Sequence, residues 1–130
     1  MFGKRSQKSW QVDQMGRLYT TVKVCFKNRS VDNVNAFIDT GSDLTIISTK
    51  IAKKLGIKKT NIELKWRASD GDERLSPLTE IKLKAQEDKR LVFLDGVLID
   101  DAPLDKDTQE EVLIGLDYLQ KTKRVLRFDD

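Results

Sequence analysis

From Leu18 the chain alternates, with Thr20, Val22, Val24 and Phe26 on one side and Tyr19, Thr21, Lys23 and Cys25 on the other. A period of two predicts a half-buried β-strand. The segment NRSVDN, Asn28 to Asn33, supplies turn chemistry, and Val34 to Ile38 returns as a second strand that ends at Asp39. Leu44 to Ile47 is a short apolar run rich in β-branched residues, and STKIAKKLG follows with helix signals. Ser48 or Thr49 can cap this helix, Ile51 and Leu55 lie four apart on one face, and Gly56 can stop it.

The alternation resumes with Ile62, Leu64, Trp66 and Ala68 against Glu63, Lys65 and Arg67, and Asp70-Gly71 reads as the two-residue turn of a β-hairpin. Pro77 interrupts the return arm before Ile81, Leu83 and Ala85 restore the pattern, and RLVFLDGVLID predicts a more continuous apolar strand, with Asp95-Gly96 as a break. VLIG, Val112 to Gly115, is another apolar strand ending at a glycine turn. LDYLQKTK then starts a helix with Leu116 and Leu119 on one face, and RVLRF closes the chain as an alternating tail. Two apolar strands that each meet a glycine turn suggest a pair of pseudo-symmetric halves. The chain is read as mainly β, with a flexible arm over 1–16 that lacks periodicity and one domain over 17–130.

At 130 residues, one domain can bury roughly two-thirds of its extended-chain surface, and 35% charged against 38% hydrophobic residues argues against wholesale disorder. No apolar run reaches membrane-spanning length, and the basic start lacks the apolar core of a secretory signal. The expectation is an intracellular, cytoplasmic setting without membrane. Cys25 is the single cysteine, so no internal disulfide forms, and it reads as an inert thiol. The net charge is +3. It is divided between a basic group at Lys50, Lys53, Lys54, Lys58 and Lys59 and an acidic run from Asp100 to Glu111, both read as solvated faces. Nucleic acid is not an expected partner, because these lysines lack interleaved aromatics.

Chemistry concentrates at FIDTGSDLTII. An ionised carboxylate removed from water costs several kcal/mol unless it is compensated, yet Asp39 stands between Phe37-Ile38 and Leu44, Ile46 and Ile47. With no histidine in the chain, Ser-His and Cys-His catalysis are excluded and the commonest metal ligand is missing. There is no phosphate-binding loop, and the acidic run lacks the spacing of a calcium loop. Neither a metal nor a cofactor is expected. On its own, Asp-Thr-Gly is also a good turn.

The combination of FIDTGSDLTII with VLIGLDYL resembles the retropepsin-like aspartic proteases: the retroviral and retrotransposon enzymes and the protease-like domain of DNA-damage-inducible shuttle proteins. The resemblance spans Leu18 to Phe128. It implies a closed-barrel acid-protease fold with short helices after the Asp-Thr-Gly loop and near the C-terminus, assembled as a homodimer. It also implies that Asp39 is catalytic, that Thr40 braces the two catalytic loops across the dimer axis, and that Gly41 brings its backbone close to the carboxylates and to a polypeptide substrate. Asp43 would accept hydrogen bonds from substrate backbone. Hydrolysis by two carboxylates needs a base and an acid close together. One Asp-Thr-Gly per chain therefore requires a second subunit, and the RVLRF tail is the expected fastener. Polyprotein processing or a protease domain of a cellular protein are the roles implied, and a catalytically idle adaptor of the same fold is the rival.

Three details depart from that family. The hairpin tip has only Gly71 among charged neighbours, Leu116 stands where retroviral members often carry an Arg that pairs with Asp43, and the acidic run is an apparent insertion. Ser42 is expected to donate its hydroxyl to Asp39. Trp66 can line the hairpin's inner face, although a core role is favoured for a large aromatic.

Overall fold

The computed structural model describes residues 9–11, 18–58, 62–67, 71–104, 109–123 and 125–127. The elements are β1 (Ser9–Gln11), β2 (Leu18–Phe26), β3 (Arg29–Ile38), β4 (Ile46–Ile47), α1 (Thr49–Lys54), β5 (Glu63–Arg67), β6 (Glu73–Ala85), β7 (Val92–Ile99), β8 (Val112–Ile114), α2 (Leu116–Thr122) and β9 (Val125–Arg127). Strands pair in the order β2-β3-β8-β4-β7-β6, and β6 pairs back onto β2. This closes a six-stranded ring without free edges, the closed barrel that the resemblance implies. β5 stays outside the ring, paired only with the first part of β6.

The ring is closed around two apolar clusters, and the period of two explains how short strands feed both. Ile47, Val97 and Ile114 enter the main core with Val22, Val24, Ile51, Leu55, Leu83 and Tyr118. Their neighbours Ile46, Leu98 and Leu113 point the other way into a second cluster with Leu104, against which Phe37, Leu44, Leu64, Trp66 and Leu78 pack. Strands β4 and β8 are buried throughout, which is why their sequences are continuously apolar rather than alternating. The second cluster lies under the Asp39 loop and sets its floor.

Helix α1 forms as its sequence predicts. Ser48 accepts from the Ile51 N–H at 3.0 Å, Ile51 and Leu55 are buried, and Gly56 takes the left-handed conformation (φ 72°) that ends the helix. In α2 the buried residues are Tyr118 and Leu119, with Leu116 half-buried against the core. The tyrosine is fully buried because its hydroxyl is satisfied: it donates to Asp88 Oδ2 and accepts from the Ala85 N–H at 2.9 Å.

Several boundaries differ from the sequence expectation. The β2–β3 connection is a tight turn, since Phe26 already pairs with Arg29 and Lys27 has φ 54°. The polar residues after it extend β3, with a bulge between the Val24–Val31 and Val22–Val34 pairs where Asn33 has φ 56°. Pro77 does not interrupt β6. Leu78 N–H donates to Ile62 O at 2.9 Å, so by alternation residue 77 turns its nitrogen away from β5 and its missing donor costs the hairpin nothing. Asp95-Gly96 is a bulge within β7 rather than a break, because Thr79 pairs with Val97 and Ile81 with Leu94. The last β5–β6 pair, Arg67 with Glu73, leaves residues 68–72 as the connection, longer than the two-residue turn expected, and 68–70 lie outside the described residues.

Within 1–16, Ser9–Gln11 pairs in parallel with Val125–Arg127, so the expected C-terminal strand forms at its centre, while Arg124 and Phe128 lie outside the described residues.

Candidate active site

Strand β8 lies between β3 and β4, parallel to the first and antiparallel to the second. The chain therefore leaves β3, crosses above β8 and returns as β4, and the crossing is the Asp39 loop. It is held from below: Asp39 N–H donates to Ile114 O at 3.0 Å, continuing the β3–β8 ladder, and Ser42 N–H donates to Asp39 O at 3.1 Å. Gly41 N–H donates to Asp39 Oδ1 at 2.8 Å, which fixes one carboxylate oxygen and leaves the half-buried side chain facing a cleft.

The start of α2 supports the loop from the other side. Leu116 N–H donates to Ser42 O at 2.8 Å and Asp117 N–H to Asp43 O at 3.1 Å. The Asp117 carboxylate accepts from Thr45 N–H at 3.0 Å, Thr45 Oγ1 at 2.7 Å and Tyr118 N–H at 2.7 Å. Thr45 Oγ1 in turn accepts from Gly115 N–H at 3.2 Å. A carboxylate in the first turn of a helix is favoured by the exposed amides there, and here it also reaches the loop after Asp39. Sequence reasoning passed over both residues. The available signals were a Thr inside the apolar LTII run and an Asp two residues after the glycine that opens α2.

The cleft above Asp39 encloses about 430 Å³. Gly41, Ser42 and Asp43 form one side, Leu44, Ile46, Leu98 and Leu113 the floor, and Leu64, Trp66, Arg67 and Arg74 of the β5–β6 hairpin the roof. Thr40, Gly41 and Asp43 are exposed, and the Thr40 hydroxyl and Asp43 carboxylate have no hydrogen-bond partner among the described residues. The structure thus groups Asp39, Gly41 and Asp43 at one cleft, while the exposed Thr40 does not line it.

Three expectations need correction. The Ser42 hydroxyl donates to Leu44 O at 2.7 Å rather than to Asp39, because the turn brings that carbonyl within reach. Trp66 is half-buried and lines the cleft while packing on the second cluster, so it faces the site; its Nε1–H donates to Ser76 Oγ at 2.8 Å. The acidic run is not wholly a solvated face. Asp101 accepts from Thr49 N–H at 2.9 Å and Thr49 Oγ1 at 2.7 Å, tying the loop to the start of α1. Asp100 accepts from Arg74 Nε at 2.9 Å and its terminal nitrogen at 2.8 Å, from Ser76 Oγ at 2.7 Å and from Ala102 N–H at 2.9 Å. Burial pushes the Asp100 carboxyl up, but these hydrogen bonds and the Arg74 charge outweigh it and hold the group below its ordinary value.

No cluster of three metal-ligating side chains occurs among the described residues, and no described helix is long and apolar enough to cross a membrane.

A closed six-stranded barrel with an Asp-Thr-Gly loop crossing over its last barrel strand is a retropepsin-like acid-protease fold. The chain belongs to the family described as gag-polyprotein putative aspartyl protease, whose model matches residues 22–121. Among solved structures it is similar to EIAV protease complexed with an inhibitor, at 20% identity and TM-score 0.59, covering 88% of this chain and 96% of that one. It is also similar to a retropepsin-like aspartic protease from Rickettsia conorii, at 15% identity and TM-score 0.53, covering 86% and 76%. No curated protein matches by sequence.

Proposed function

We propose that two copies of this chain form an aspartic endopeptidase in which each contributes Asp39. The observation that carries this reading is a half-buried carboxylate fixed by Gly41 N–H at the mouth of a roofed, apolar-floored cleft, with one such loop per chain. Across a two-fold axis the two Asp39 side chains meet and share one proton, since like charges that close cannot both ionise freely. The ionised member takes a proton from a water held between them, the water oxygen attacks the scissile carbonyl, and the protonated member gives its proton to that carbonyl oxygen. The C–N bond then breaks as the leaving nitrogen takes a proton from one carboxyl while the other carboxylate takes a hydroxyl proton, which restores the singly protonated pair.

In this reading the exposed Thr40 braces its symmetry mate, and Gly41 and Asp43 meet the substrate backbone along the cleft. The substrate class is an extended polypeptide, and the family description favours a polyprotein. The reaction needs no metal or cofactor. One edge of β9 carries no strand among the described residues, which supports a partner's terminal strand as the dimer fastener. The setting we infer is intracellular, where a lone thiol such as Cys25 stays reduced.

The test is to incubate the protein with a mixture of unfolded polypeptides and to map new termini by mass spectrometry, with Asp39→Asn as control. The amide is nearly isosteric but cannot act as a base, so new termini should appear only with the parent and the variant should keep its circular dichroism. Identical peptide lists from both proteins would remove the assignment.

A further inference from the structure

The β5–β6 hairpin projects beyond the closed ring, and a two-stranded hairpin is marginally stable by itself. Its cross-strand pairs Leu64–Ser76 and Trp66–Arg74 lie on the face that roofs the cleft. Leu64 and Trp66 rest on the second apolar cluster, but Arg74 and Ser76 share that face, where a half-buried cation and a buried hydroxyl need partners. Asp100 supplies them. Its backbone is anchored to the barrel wall, with Asp100 N–H donating to Ile47 O at 3.1 Å, and its side chain is 10% exposed.

We propose that Asp100 is a positioning residue: by clasping Arg74 and Ser76, and through Ser76 the indole of Trp66, it sets the position of the hairpin over the Asp39 cleft. The proposal rests on the protease reading for its kinetic consequence but not for its geometry. Arg74 meets the carboxylate through two parallel N–H donors, the most directional form of ion pair, and Ser76 passes the constraint on by accepting from Trp66 while donating to Asp100. The first acid of the acidic run thus holds the roof, while Asp101 beside it holds α1. A hairpin without the clasp must be ordered at the substrate's expense, so binding weakens while turnover at saturation is kept.

The experiment uses full-length protein carrying Trp10→Phe, so that Trp66 is the single tryptophan and is excited apart from the tyrosines. Asp100→Asn should shift Trp66 emission to the red and raise its acrylamide quenching constant. With a denatured polypeptide as substrate it should raise KM about tenfold, as expected for one lost charge-assisted hydrogen bond, with little change in kcat. Adding Arg74→Met to Asp100→Asn should raise KM little further, since both act through one clasp. A folded Asp100→Asn with unchanged quenching and KM overturns the proposal, and so does a fall confined to kcat. Should that variant fail to fold, Ser76→Ala cuts only the relay to Trp66, and unchanged quenching there overturns it equally. A parent that hydrolyses nothing defeats the protease reading, while the quenching measurement still decides the clasp.

Discussion

Replacing Gly115 with alanine would place a methyl carbon 2.5 Å from Leu44 O, 2.6 Å from the same carbonyl carbon and 2.8 Å from Ser42 O. Gly115 is extended (φ −97°), so the difficulty is close approach, not backbone conformation. The atoms met are backbone, which cannot rotate aside as a side chain can. Reaching ordinary contact requires the Asp39 loop and the start of α2 to separate by about 1 Å. That shift breaks the bonds crossing the same gap: Leu116 N–H to Ser42 O, Asp117 N–H to Asp43 O and Gly115 N–H to Thr45 Oγ1. Three bonds at about 1 kcal/mol each, with at least about 1 kcal/mol for overpacking, give a loss of about 4 kcal/mol. Such a loss is a large part of the 5–15 kcal/mol roughly expected for a domain. Urea unfolding followed by circular dichroism should show the midpoint falling by about 2 M with an unchanged slope. Gly96→Ala, whose methyl would meet only Leu44 Cδ2 at 4.0 Å, is the control and should move the midpoint little. A Gly115→Ala protein that unfolds within about 0.5 M of the parent would refute the claim that this contact locks the loop to α2.

Tyr118→Phe leaves Ala85 N–H and Asp88 without the buried hydroxyl between them and should cost about 2 kcal/mol in urea unfolding; an unchanged midpoint would show that water replaces it. The Asp100 carboxyl is held below its ordinary value of 3.8 in the folded chain, so its stabilisation is complete above that pH and is lost as pH falls through the lowered value. The advantage of the parent over Asp100→Asn should be full at neutral pH and shrink in urea titrations below pH 3.8; a constant gap would place the stabilisation elsewhere. Specific activity should fall on dilution below the dimer dissociation constant, and a chain that sediments as a monomer yet stays fully active would refute a dyad built from two Asp39 side chains.

The alternation from Leu18, the capped helix after Ser48, the apolar VLI strand and the Asp-Thr-Gly turn were all legible in the sequence, because each depends on residues within a few positions of one another. Strand period, N-cap chemistry and the left-handed preference of Gly56 are local properties. Asp39 stood out as a carboxylate set between apolar flanks, and its catalytic reading came from the resemblance carried by FIDTGSDLTII together with VLIGLDYL. What the sequence could not supply is which distant groups meet. Thr45 and Asp117 are 72 positions apart and Asp100 and Arg74 are 26 apart, and only ring closure brings them together. Asp100, read as part of a solvated face, has its side chain largely covered because Arg74 and Ser76 from another strand compensate it. The turn after β2 and the path through Pro77 likewise depended on pairing register, which is set by the opposing strand and not by the residues of the turn. Local chemistry thus determined the elements, and the motif's resemblance to a family pointed to the catalytic candidate. Tertiary packing decided what holds that loop in place and what roofs it, because hydrogen-bond partners separated by so many residues can be chosen only by the closed barrel.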